Sequence, residues 1–213
     1  MGKLLIEPKL IIFDMDGTLI DSGLAIANAV NFVRAHYGLE PQEKDQMLRA
    51  MNDPHINSAQ YFYNVDAFTD EHSILFKKYY DENCIKEMEL YGGIVELLAL
   101  CKESNFQMSV ATNASSYYAH KMLEYVDVKH YFDLIVGADM VKQAKPSSDM
   151  ILYTLDTLQI KKQNSLLVGD SIKDIMAAKS AGIDSLLVDW GFSDHDDAIK
   201  DIETLKNMIM RKL

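Results

Sequence analysis

Five short stretches are nearly continuous in apolar residues: KLIIF at 9–13, FQMSVAT at 106–112, FDLIVGA at 132–138, SLLVGD at 165–170 and DSLLVDW at 184–190. None alternates strictly between apolar and polar positions. Strands covered on both faces, as in a parallel sheet, read this way. Around them the apolar spacing lengthens to a helical period. GIVELLALCKES precedes the second stretch and SSYYAHKMLEYV follows it; SSDMILYTLDTLQ follows the third and SIKDIMAAKSAG the fourth. The last of these closes on Gly182, as a helix C-terminus should. Strand and helix in alternation predict an α/β fold with a doubly wound, Rossmann-like parallel sheet.

Between residues 22 and 91 this rhythm stops and no stretch reads as a strand. The pattern predicts a helix at about 23–37, one or two within 42–63, and a long one at about 70–85. Ordinary connections in α/β units are far shorter. The segment therefore reads as an all-helical insert, residues 22–90, above a core built from residues 1–21 and 91–213. Tyr61, Phe62, Tyr63, Phe68, Phe76, Tyr79 and Tyr80 are expected to form the insert's own core.

Composition narrows the function. The chain has 213 residues, 48% hydrophobic, enough for one core and a modest inserted domain. A net charge of −11 argues against a nucleic-acid partner or an anionic membrane, both of which reward basic surfaces. Small anionic substrates stay open, because a bound cation reverses the sign locally. Cys84 and Cys101 lack paired metal-ligand spacing and read as free thiols of a reducing cytoplasm, which is the expected location. The opening MGKLLIEPKLIIF is interrupted by Glu7, Pro8 and Lys9, so neither a signal peptide nor a membrane span is expected there.

The polar punctuation carries the chemistry. In extended chain, residues i and i+2 point the same way, so Asp14 and Asp16 of FDMDGTLIDS are expected to face one site. That site would lie at the carboxyl end of the first strand, where open α/β sheets bind ligands. VATNAS puts Thr112 and Asn113 at the end of the second strand, AKPSSD puts Lys145 before a proline-started helix, and LVGDSIKD puts Asp170 and Asp174 at the end of the fourth strand. Each stretch alone also reads as an ordinary helix cap or a favourable charge near a helix N-terminus. Together they bring four carboxylates, a threonine and a lysine to strand ends.

DMDGT, TN, KP and GDSIKD, in that order, resemble the four motifs of the haloacid dehalogenase superfamily. The helical insert between the first and second motifs is similar to the cap of the phosphoglycolate phosphatase subgroup. VGDSIKDIMAAKSAG and WGF at 190–192 are similar to that group as well. The resemblance implies a Mg²⁺-dependent phosphatase that hydrolyses a small phosphorylated metabolite through an aspartyl-phosphate. It implies Asp14 as nucleophile and Asp16 as the group that protonates the leaving oxygen and then activates water. Mg²⁺ would be held by Asp14, the Asp16 carbonyl and Asp170, with Asp174 holding coordinated water. Thr112, the Asn113 backbone N–H and Lys145 would neutralise the phosphoryl oxygens, and Gly17 would allow the turn out of the site. The chemistry asks for the same parts, since a carboxylate approaching a phosphate dianion needs positive charge between them.

Rival activities fit the residues less well. A dehalogenase needs no second aspartate, yet Asp16 is present. A phosphonatase would need a dedicated cap lysine, and none stands out. A phosphosugar mutase often carries a histidine soon after the first motif, whereas the first here is His36. A catalytically silent binding module would not need the whole motif set, and no P-loop signature occurs. The substrate is left to the cap. Its specificity loop in the phosphoglycolate phosphatase group often reads Gly-x-Pro-Leu, whereas this chain has MNDPHIN, with Asn52 for the glycine and His55 for the leucine. That departure weighs against phosphoglycolate. The loop at 52–57 is expected to close over the site, with His55 donating to a substrate oxygen.

Overall fold

The computed structural model describes residues 9–191 and 196–212. The first eight residues and Phe192 of the WGF stretch lie outside the described residues. Five strands, β1 (Leu10–Phe13), β4 (Gln107–Thr112), β5 (Leu134–Gly137), β6 (Ser165–Gly169) and β7 (Asp184–Leu187), form one parallel sheet in the order β5-β4-β1-β6-β7. β1 is central, with Ile11 opposite Met108 on one side and Leu166 on the other. All four of its residues are fully buried, which explains their unbroken apolar run. Ile11 and Phe13 face a core closed by α5 (Ile94–Glu103), α6 (Ser116–Tyr125) and α9 (Ile202–Lys212). Leu10 and Ile12 face the opposite core, closed by α7 (Asp149–Leu158) and α8 (Ile172–Ala181). The sheet is thus doubly wound, as the alternation of strand and helix predicts.

The last apolar stretch is trimmed. β7 stops at Leu187, after which Val188 bridges to Ile199 and the Trp190 indole N–H donates to the Thr18 carbonyl at 3.0 Å. Trp190 is therefore a clamp on the loop after β1 rather than a strand residue.

Four helices leave the sheet: α1 (Gly23–His36), α2 (Lys44–Asn52), α3 (Ser58–Tyr63) and α4 (Asp70–Asn83). α1, α2 and α3 share a small core of Ala27, Val30, Val33, Met47, Phe62 and Tyr63. The Arg34 side chain stitches it by donating to the carbonyls of Glu40, at 2.7 Å, and Phe62. Two expectations are corrected here. A strand does exist before Tyr91: β3 (Glu89–Leu90) pairs antiparallel with β2 (Ile20–Asp21), where the chain leaves for the helices and where it returns. Two residues are too few to show a period, and the partner lies far away in sequence. The aromatic set also divides. Phe62 and Tyr63 are buried in the helical core, Phe68 is exposed, and Tyr80 packs with the sheet-side core.

Among the described residues no helix is long and apolar enough to cross a membrane. The core predicts its own test. Leu167 on β6 is fully buried, so Leu167→Ala is expected to lower stability by about 2–5 kcal/mol. Urea unfolding should show this as a lower midpoint at an unchanged slope.

Candidate active site

The carboxyl ends of β1, β4 and β6 set out the charged groups in order. Asp14 follows β1 directly, and its N–H extends the ladder to the Val168 carbonyl at 2.8 Å. The chain must then turn sharply. Gly17 sits at φ +82°, and a Cβ there would lie 2.4 Å from an Asp170 carboxylate oxygen. Both the backbone conformation and the space require glycine. Gly169, the last residue of β6, is required for space alone, since a Cβ would stand 2.4 Å from the Asp174 carboxyl carbon.

Lys145 is the centre of the cluster. Its ammonium is buried 2.5 Å from Asp14 Oδ1 and 2.6 Å from Asp174 Oδ1. Its backbone is held by the Asn113 side chain, whose amide donates to the Lys145 carbonyl at 2.9 Å and accepts its N–H at 3.0 Å. Asp174 closes the α8 N-terminus by accepting the Ser171 N–H at 3.1 Å and its hydroxyl at 2.6 Å. Asp16 accepts the Ser22 hydroxyl at 2.5 Å and the Thr112 hydroxyl at 3.3 Å. Asp170 accepts the Asn52 amide at 2.9 Å, a contact that spans from α2 to the sheet.

These groups do not balance. Burial pushes the Asp14 carboxyl up to about 7, with Lys145 opposing and Asp174 and Asp16 adding to the rise. Burial raises Asp16 as well, against the hydrogen bonds from Ser22 and Thr112. Asp170 rises well above the carboxylate range through burial, then through Asp14 and Asp174. Lys145 is the counterpart: burial works against its charge, but Asp14 and Asp174 outweigh it and hold the ammonium charged. One ammonium cannot neutralise four carboxylates. Oxygens of Asp14, Asp170 and Asp174 lie within 4.8 Å of one another. An anionic donor set made only of oxygen suits a hard divalent cation.

Asp14, Asp16, Thr112, Asn113, Lys145, Asp170 and Asn52 all line one cavity of about 350 Å³. Asp174 lies beneath it, against Lys145. His55 is not brought to it: the residue is exposed, and its N–H donates to the Asp53 side chain at 2.8 Å. From the loop at 52–57 it is Asn52, at its first position, that reaches the cavity. Sequence reasoning missed Lys173, which donates to the Met51 carbonyl at 2.6 Å and so ties α8 to α2. Its place inside the GDSIKD motif was a usable signal. It also missed the walls, Ile26, Met51 and Tyr118 with Phe76 and Tyr80, which carry no linear signature.

At the end of the central strand a carboxylate touches a buried ammonium beneath the helices between β2 and β3, an arrangement equipped for nucleophilic or acid–base chemistry in an α/β fold. The chain belongs to the haloacid dehalogenase-like hydrolases, whose family model matches residues 11–188. It is 33% identical over 193 residues to the phosphoglycolate phosphatase of Aquifex aeolicus, covering 91% of this chain and 90% of that one. It is 31% identical over 198 residues to the phosphoglycolate phosphatase of Chromobacterium violaceum, covering 87% of each. The crystal structure of a predicted phosphatase from Clostridium acetobutylicum matches with a TM-score of 0.84 at 25% identity, over 96% of this chain and 99% of that one. The enzyme class is that of a phosphatase.

Two outcomes follow from this geometry. Gly17→Ala is expected to lower turnover at least about ten-fold, because the new methyl group displaces the Asp170 carboxylate; steady-state kinetics on protein with unchanged circular dichroism would register it. The second concerns pH. The folded Asp14 carboxyl, at about 7, holds its proton over a range where the unfolded one, at 3.8, has lost it. The wild type should therefore lose stability relative to Asp14→Asn as pH rises from about 4 to about 7. Melting temperatures of both proteins in chelator, taken across that range, measure the difference.

Proposed function

We propose that the protein is a Mg²⁺-dependent phosphomonoesterase acting on a small phosphorylated metabolite through an aspartyl-phosphate on Asp14. The observation that carries this reading is the Asp14–Lys145 pair: a buried carboxylate at the cavity floor whose neighbour is a permanently charged ammonium. Residues 22–90 act as the cap over a core of residues 1–21 and 91–213, hinged where β2 meets β3.

An Asp14 carboxylate oxygen attacks phosphorus as the bond from phosphorus to the leaving oxygen breaks. Asp16 gives its proton to that oxygen. Its raised pKa supports this, since the group must start protonated. The resulting Asp16 carboxylate then takes a proton from a water molecule that attacks the phosphorus of the aspartyl-phosphate. Inorganic phosphate leaves and Asp14 is restored. Lys145, Thr112 and the Asn113 N–H stabilise the phosphoryl oxygens throughout. Asp14, Asp170 and the Asp16 carbonyl would hold the cation, with Asp174 behind them; the Asp14, Asp170 and Asp174 oxygens lie within 4.8 Å of one another. Mg²⁺ there would supply the positive charge that lets an anionic nucleophile meet an anionic phosphate. Asp16 lines the cavity, which supports it as the proton carrier; among the described residues no histidine lines that cavity.

Asp14→Asn is expected to lose at least on the order of 10³-fold in kcat. Near-normal turnover by a clean preparation would overturn the reading. Asp16→Asn should lose roughly 10²–10⁴-fold, and less with good leaving groups. Calorimetric titration with Mg²⁺ should find its metal affinity close to wild type, whereas Asp170→Asn should bind poorly.

A further inference from the structure

The cavity above Asp14 has two unlike ends. Its floor is the carboxylate and lysine cluster. Its walls above the floor are Ile26, Met51, Phe76, Tyr80 and Tyr118. Three of these, Met51, Phe76 and Tyr118, are also walls of a second cavity of about 450 Å³ among the inserted helices. That second chamber continues over Val30, Phe62, Tyr63 and Phe68. The two chambers have these three side chains as common walls. Apart from Lys145, the one lysine of the first chamber is Lys173, which donates to the Met51 carbonyl at 2.6 Å. Lys77, at the second chamber, is exposed.

We propose that the substrates are monophosphate esters of extended, uncharged apolar alcohols, with the phosphate at Asp14 and the alkyl or aryl body running past Met51, Phe76 and Tyr118 into the second chamber. This rests on reading Asp14 as the phosphoryl acceptor. A compact anionic leaving group such as glycolate fits the walls badly. Its carboxylate would stand against apolar and aromatic side chains and near four aspartates, with Lys173, already donating to the Met51 carbonyl, as the one lysine besides Lys145 to offset its lost hydration. An apolar chain gains from the same walls in proportion to the area it buries. The first chamber alone, about 350 Å³, falls in the size range of sites that enclose a ligand well beyond glycolate in length.

The test is a series of ethyl, butyl, hexyl and octyl phosphate beside phosphoglycolate, assayed by phosphate release from the full chain with Mg²⁺. From butyl to octyl the leaving alcohols are nearly equal in acidity, so chemistry is held constant while length varies. The expected result is a kcat/KM that rises with each methylene, by at most about four-fold, and lies at least about ten-fold higher for hexyl phosphate than for phosphoglycolate. A flat series, or a preference for phosphoglycolate, overturns the proposal. Ser73→Trp, which places an indole in the second chamber from its exposed rim, should lower the octyl-to-butyl ratio. An unchanged ratio would also count against it. A calorimetric series of the matching alkylphosphonates separates this inference from the reading it rests on. Affinity that rises with chain length in a protein that hydrolyses no ester would keep the substrate pocket and refute the catalytic assignment. Affinity independent of length would refute the pocket.

Discussion

Three buried carboxylates, a half-buried fourth and a single buried ammonium meet in one place, and much of the rest of the structure around the sheet edge exists to hold them there. Asp14, Asp16 and Asp170 are each pushed upward chiefly by burial. A cluster so short of positive charge relaxes by protonation, by water entry or by movement unless its neighbours prevent it. Here every partner is fixed by backbone. Asp14 continues the ladder of β1, and Asp174 is a turn of α8 with its second oxygen committed to Ser171. Lys145 is held through its own peptide groups by Asn113. Gly17 and Gly169 leave room for carboxylates where any side chain would collide with them. The strain of like charges is thus carried by elements that cannot easily yield, and the site is prepared to favour any ligand that brings a cation.

What the sequence made legible was the part with local rules. The strands of the central sheet are buried on both faces, so each leaves an unbroken apolar run, and the chemistry-bearing residues stand at the ends of those runs. Spacing alone put Asp14 and Asp16 together, and strand order brought Thr112 and Asp170 beside them. Less visible was whatever depends on two distant segments meeting. The β2–β3 pair is two residues long on each side. Tyr80 read as core of the inserted helices, yet its hydroxyl contacts Met122 Sδ at 3.8 Å in the sheet-side core while the residue also lines the active cavity. His55 looked the more reactive member of its loop, but it stands on an exposed turn with its N–H given to Asp53 and does not line the cavity. Asn52, a helix end, projects inward instead.

Contacts between the inserted helices and the sheet side are both apolar and polar: Ala25, Ala29, Tyr80 and Cys84 join the sheet-side core. Tyr118 on α6 donates to Asp81 on α4 at 2.6 Å, and Lys121 donates to the Asp81 carbonyl at 2.9 Å. Lys173 on α8 reaches the Met51 carbonyl on α2. The polar contacts add fixed donor–acceptor geometry to that apolar packing. The apolar walls divide between the two layers in the same way: Ile26, Met51, Phe76 and Tyr80 come from the helices and Tyr118 from the sheet side. A body placed between them adds apolar contact to both.

Asn52 joins these threads. In the group this chain resembles, a glycine often stands at that place in the loop, and a glycine has no side chain with which to reach the sheet. Here the Asn52 amide donates 2.9 Å to Asp170, one of the carboxylates of the charge-poor cluster. Position 52 thus ties the helices to the group that the proposed cation would share. In this chain the departure from glycine therefore does more than alter the shape of a specificity loop. It adds one hydrogen bond between α2 and the carboxylate cluster that no glycine at that position can form.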